Sequence, residues 1–112
     1  MTRRYFDGDY ADRPIRVTLG YDRPLDEFFL QIIYRPKDED EELEDYPYVY
    51  VSLDDPDALT DDLEYFRAKL RELHIVVPES MFLAVNEDAA DGVGNLIAEH
   101  FANGRIMLRH RY

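Results

Sequence analysis

Cysteine is absent from the 112-residue chain, and so is tryptophan. Without thiols there is no disulfide scaffold, no thiolate nucleophile and no cysteine-ligated zinc site. Glycine is scarce, and its five positions (Gly8, Gly20, Gly92, Gly94, Gly104) never form the GxGxxG or GxxxxGK loops that cradle phosphates. The serines are Ser52 and Ser80, and neither sits in a Gly-x-Ser-x-Gly turn, so acyl-transfer nucleophiles are poorly served. No apolar run approaches the roughly 18 residues that a membrane span requires. The opening MTRRYFDGDYADRP has two early arginines with no hydrophobic stretch behind them, so no leader and no membrane attachment are expected. A soluble cytoplasmic protein is the expectation.

What the chain has in excess is acid. Asp and Glu number 25 against 13 Lys and Arg, for a formal charge of -12. The excess is not spread evenly. Residues 38 to 64 hold 13 acids and no base, so the other 85 residues together carry +1. A near-neutral domain bearing one acidic belt projects a directional field that steers basic partners toward it. The same field disfavours direct contact with nucleic acid or an anionic membrane. With 46% hydrophobic residues the chain is too apolar to be disordered over most of its length, and its size suits one domain.

Hydropathy periods place the elements. Residues 1–13 mix Arg, Asp, Gly and Tyr without a clear period and are expected to be a flexible lead-in to a single domain over 14–112. Ile15, Val17, Leu19 and Tyr21 alternate with polar residues, as in a half-buried strand, and the apolar run Phe28 to Tyr34 suits a central strand. A third strand is predicted over Tyr46–Leu53, with Val49, Val51 and Leu53 facing the core and Tyr46, Tyr48 and Tyr50 on the other face. Leu59, Leu63, Phe66, Leu70 and Leu73 then form one stripe of an amphipathic helix capped by Asp57 or Thr60. A second, shorter helix is predicted from Pro78, with Met81, Phe82, Val85 and Ala89 inward. The strand-like runs 95–101 and 105–112 flank Ala102-Asn103-Gly104, a hairpin signal. The predicted fold is α+β, in the order βββααββ: a mainly antiparallel sheet of about five strands with both helices on one face.

No motif carries catalytic chemistry. His74, His100 and His110 lack His-x-x-x-His spacing, and His100 and His110 are expected as neighbours across the hairpin. An EF-hand reading of Asp38-x-Asp40-x-Glu42 fails, because Leu43 stands where the turn needs Gly and Val49 where it needs Glu. No cofactor, dedicated metal site or catalytic residue is expected, although a small hydrolase using clustered carboxylates and a metal is the enzyme-class alternative.

The belt itself remains. Seven of the eight residues from Asp38 to Asp45 are acids, and an extended strand rises about 3.3 Å per residue, close to the roughly 3.4 Å between charges along one DNA strand. The expectation is therefore a non-enzymatic interaction protein that binds a basic protein surface. Mimicry of DNA would let it inhibit a nucleic-acid-binding complex in the anti-CRISPR or anti-restriction manner. The candidate partner-binding residues are Asp38, Glu39, Asp40, Glu41, Glu42, Glu44, Asp45, Tyr46, Tyr48, Tyr50, Asp54, Asp55, Asp57 and Asp61. The tyrosines would stack on Arg guanidinium groups while the acids pair with them. The alternative is a small accessory domain that docks or forms a homodimer through its tyrosine row or through Arg105, Arg109 and Arg111, with the belt serving solubility alone.

Overall fold

The computed structural model describes residues 1–111, and shows an α+β architecture: a mixed six-stranded sheet with two helices on one face. The strands are β1 (Thr2–Tyr10), β2 (Arg13–Asp22), β3 (Glu27–Tyr34), β4 (Tyr48–Val51), β5 (Leu96–His100) and β6 (Ile106–Arg111). The helices are α1 (Leu63–Glu72) and α2 (Glu79–Asp91). Strand order across the sheet is β4-β3-β2-β1-β5-β6; β1 and β5 run parallel and every other pair antiparallel.

The alternation of β2 and β3 settles the core. Ile15, Val17, Leu19 and Tyr21 lie opposite Tyr34, Ile32, Leu30 and Phe28 on one face. Phe66 and Leu70 of α1 and Met81, Phe82 and Val85 of α2 close over them. Each such side chain contributes roughly 1.5–3 kcal/mol when fully buried. Among the described residues, the opposite sheet face carries no helix and is laced with polar pairs. There the Arg16 guanidinium lies 4.1 Å over the Tyr5 ring and grips Asp7 at 2.7 and 3.0 Å.

Residues 2–10, expected as a flexible lead-in, are instead a nine-residue interior strand. Its inward positions are Thr2, Arg4, Phe6, Gly8 and Tyr10, so a charge and a glycine interrupt the hydrophobic alternation. The two-residue turn into β2 is Ala11-Asp12, with φ of 50° and 65°. That is the left-handed pair a tight hairpin demands, made without the usual Asn-Gly. The sheet is therefore six-stranded and mixed rather than five-stranded and antiparallel.

Three smaller boundaries shift. Strand β4 is only four residues long, because Ser52–Asp54 turn into a 3-10 helix; Leu53, expected in the core, is 90% exposed. Helix α1 begins at Leu63 with Asp62 as its cap, its carboxylate accepting the Glu64 N–H at 2.9 Å; Leu59 stays outside the helix. Helix α2 is the longer of the two, with 13 residues, and follows Pro78 directly. The β5–β6 hairpin forms at Ala102–Gly104, where Gly104 takes φ 87°. His100 lies opposite Ile106 and His110 opposite Ile97, so the two histidines do not pair across it. Tyr112 and the Arg111 side chain lie outside the described residues.

Gly20 of β2 marks the tightest packing. A Cβ there would fall inside the contact shells of the Thr2 carbonyl oxygen and the Phe29 ring, which lies across the glycine. Gly94, by comparison, has only the end of the Arg23 side chain nearby, at 3.5 Å. Gly20→Ala is expected to cost about 1–3 kcal/mol in urea unfolding by overpacking, while Gly94→Ala stays within about 0.5 kcal/mol of the parent. Equal effects at the two sites would contradict this packing.

Candidate functional site

The acidic belt divides into acids that the fold uses and acids that it leaves outside. After β3 the chain turns at once: the Glu41 N–H reaches the Asp38 carbonyl at 3.4 Å, and the Asp40 N–H donates to the Asp38 carboxylate at 3.0 Å. Residues 41–44 then run without regular structure. The acids are not strung along a strand, so the matched 3.3 Å spacing does not describe them; their density on the surface does not depend on it. Asp38, Glu39, Asp40, Glu42, Glu44, Asp45, Asp54, Asp57 and Asp61 are exposed.

Other belt acids are employed internally. Glu41 pairs with Arg13 and accepts the Lys37 N–H at 3.0 Å, which ties the loop to the start of β2. Asp55 is half-buried and accepts the Tyr50 and Tyr65 hydroxyls, both at 2.8 Å, and the Asp57 N–H at 3.0 Å. The two tyrosine hydrogen bonds hold its pKa below the ordinary carboxylate value, and burial and Asp55 push that of Tyr50 up. Asp62 caps α1, and Glu64 pairs with Arg67 one turn on, at 2.9 Å. Among the described residues, Glu41 and Glu64 are the belt acids within 4 Å of a basic side chain.

The tyrosine row is split. A bulge in the β3–β4 ladder sets Tyr50 opposite Ile32 and Tyr48 opposite Ile33, and neighbouring residues of β3 point to opposite faces. Tyr50 therefore packs toward the core beside α1, with the Lys69 ammonium 5.5 Å from its ring centroid. Tyr46 and Tyr48 remain together, their rings 5.0 Å apart, and the Tyr46 hydroxyl donates to Asp54 at 2.5 Å. The belt thus presents two tyrosines rather than three. Arg109, a docking residue of the alternative reading, pairs with Glu99 across the hairpin, and Glu99 also accepts the Tyr5 hydroxyl at 3.2 Å.

A second constellation escaped the sequence reading. Arg4 of β1 points under α2 and grips Asp88 bidentately, at 2.7 and 2.9 Å. Its remaining nitrogen lies 3.2 Å from Nε2 of His100, whose Nδ1 is 2.8 Å from the Ser80 hydroxyl. An arginine only donates, so His100 must accept at Nε2 and carry its proton on Nδ1, which donates to Ser80. That tautomer leaves no lone pair to activate the serine, so the Ser80–His100 pair is wired as a structural link and not as a nucleophile and base. The readable signal was Asp88 at helical spacing with Met81 and Val85, a charge on an apolar stripe.

Among the described residues, no group of three His, Asp or Glu side chains is placed to hold a metal, and no helix is long and apolar enough to cross a membrane. Set against protein-family models, curated proteins and solved structures, the chain matches none.

His100 is 1% exposed, and burial together with the Arg4 charge pushes its pKa down to about 4. In the unfolded chain it titrates near 6.5, so between pH 6.5 and 4 the unfolded state binds the extra proton. Stability contributed by neutral His100 is full above pH 6.5 and is lost as pH falls toward 4. Urea unfolding of the parent and of His100→Gln at pH 7 and pH 4.5 should show the parent losing about 2–3 kcal/mol more than the variant over that interval. Parallel losses would rule out a buried neutral histidine.

Proposed function

We propose that this chain is a non-enzymatic interaction protein whose exposed acids engage a basic protein surface. The surface we assign is the nucleic-acid-binding channel of a larger complex, blocked by mimicry of DNA charge in the anti-CRISPR or anti-restriction manner. The observation that carries this reading is the sorting of the belt: Asp38, Glu39, Asp40, Glu42, Glu44 and Asp45 stand exposed on one loop after the fold has taken up Glu41, Asp55 and Asp62. Six like charges on a short loop repel one another and raise the energy of the free protein. A basic partner relieves that repulsion. Tyr46, 55% exposed beside Asp54, adds a ring on which a guanidinium can lie.

The alternative, a self-associating docking domain, is supported by Ile106 (47% exposed) and Leu108 (55% exposed) on the edge strand β6. Its earlier anchors are weaker, since Tyr50 and Arg109 are engaged within the chain.

Capture from a source-cell lysate at low salt, followed by a salt gradient, separates the readings. The expected result is one nucleic-acid-binding complex that elutes at high salt and cannot bind DNA while the protein is attached. Reversal of Asp40, Glu42, Glu44 and Asp45 to Lys should abolish capture with the fold intact; Glu41 is spared because Arg13 depends on it. Equal capture by the reversed variant would eliminate the mimicry reading, and recovery of the protein alone would favour self-association.

A further inference from the structure

Where the belt meets the sheet, two leucines stand out of the fold. Leu53 is 90% exposed and Leu25 is 65% exposed, and both line one groove of about 240 Å³ whose floor includes Phe29 and Val51. The chain holds this groove open by construction. Ser52 turns inward, its hydroxyl accepting the Leu30 N–H at 3.1 Å, and the 3-10 turn that follows carries Leu53 outward. Phe29 can lie flat on the open sheet face because Gly20 beneath it has no side chain. Two large aliphatic side chains over an aromatic floor make an exposed apolar patch, which on a small soluble domain marks a contact surface.

The charge around the groove selects its occupant. Asp22 and Glu27 line it directly. Leu53 is followed at once by the exposed Asp54, and Thr60, another lining residue, by the exposed Asp61. Arg3 is the one basic side chain among the lining residues, and the ammonium of Met1, which also lines the groove, is engaged by the Gly94 carbonyl and the Asn95 side chain. An apolar centre with an acidic rim is complementary to an apolar side chain with basic neighbours, and tight interfaces concentrate their affinity in such a desolvated centre while rim charges set encounter and register.

We propose that this groove is the anchor point of the partner interface: it takes a branched aliphatic side chain from a partner segment that carries Lys or Arg on both sides of it. The inference rests on the belt reading and deepens it. Charge attracts and orients the partner, and the groove supplies the salt-resistant part of the affinity.

The test uses three capped hexapeptides titrated into the full chain and followed by ¹H–¹⁵N correlation spectra at low and high salt. One has two central leucines flanked by lysines, the second replaces the leucines with serines, and the third replaces the lysines with glutamates. The leucine–lysine peptide should perturb Leu25, Phe29, Val51 and Leu53 and bind about tenfold more tightly than the serine peptide, in line with burial of an aliphatic side chain. The advantage should persist at high salt and vanish in Leu25→Ser/Leu53→Ser, a variant whose changed side chains are exposed and leave the core intact.

Equal affinity of the leucine and serine peptides would overturn the groove inference, and if both still bound with strong salt dependence the belt reading would stand alone. Leucine-dependent binding indifferent to salt and to belt charge reversal would keep the groove and remove the belt. Tighter binding of the glutamate peptide would assign the site to Arg3 and overturn the proposal. Concentration-dependent self-association abolished by the same leucine variant would do so too, by naming a second copy as occupant.

Discussion

The ion pair between Arg4 and Asp88 is the constraint around which the rest of the structure is arranged. A charged side chain on the inward face of an interior strand is untenable without compensation, since stripping water from an ion costs several kcal/mol even after relaxation. Here the compensation comes from two elements: α2 supplies both carboxylate oxygens of Asp88, and β5 supplies an imidazole nitrogen whose ring is itself held by the Ser80 hydroxyl. The pair fastens β1 to α2, and His100 adds β5 to the same junction. It also fixes which way α2 lies, because Ser80 and Asp88 must both reach the same patch of sheet. β1 pairs in parallel with β5, which joins the first strand of the chain to the last hairpin.

The same principle explains why the belt differs from the other acids. Asp55 is held by three hydrogen bonds, two of which join β4 to α1, Asp62 terminates a helix where its dipole welcomes a negative charge, and Glu41 answers Arg13. Each lies where the fold has a donor to satisfy. The loop of residues 38–45 offers few donors, and its remaining carboxylates face solvent. Screening confines their field to roughly 8–10 Å at physiological salt, so a partner must approach closely to benefit. A purely electrostatic interface would then be fragile in salt, which is why an apolar anchor beside the belt matters to the proposed mode of binding.

Strands β2 and β3, both helices and the β5–β6 hairpin were legible because local pattern and tertiary environment agree there. Ile15, Val17 and Leu19 alternate and are buried; Asn103-Gly104 marks a turn and makes one. Strand β1 was not legible, because its inward positions include Arg4 and Gly8, and the partner that makes Arg4 acceptable is 84 residues away. Leu53 misled for another reason: β4 alternates in the opposite phase, with Tyr50 and Ser52 turned inward, so that Val51 and Leu53, both expected in the core, share the open face. The tyrosine row failed on a single bulge, which no spacing rule registers. Of the candidate surface, the location of the acids was readable from the sequence, and their division into employed and exposed groups required coordinates.

The central claim is that acids inside the fold are structural and that the exposed acids of the belt are not. Urea unfolding at pH 7 tests it directly by comparing two variants with the parent. The first neutralises six exposed belt residues to their amides, Asp38, Glu39, Asp40, Glu42, Glu44 and Asp45; the second changes Asp88→Asn alone. The account predicts that the sixfold variant is as stable as the parent or more stable, because self-repulsion falls. It predicts that the single change costs about 3–5 kcal/mol by leaving Arg4 buried without its counter-charge. A sixfold variant that unfolds, or an Asp88→Asn protein as stable as the parent, would contradict it.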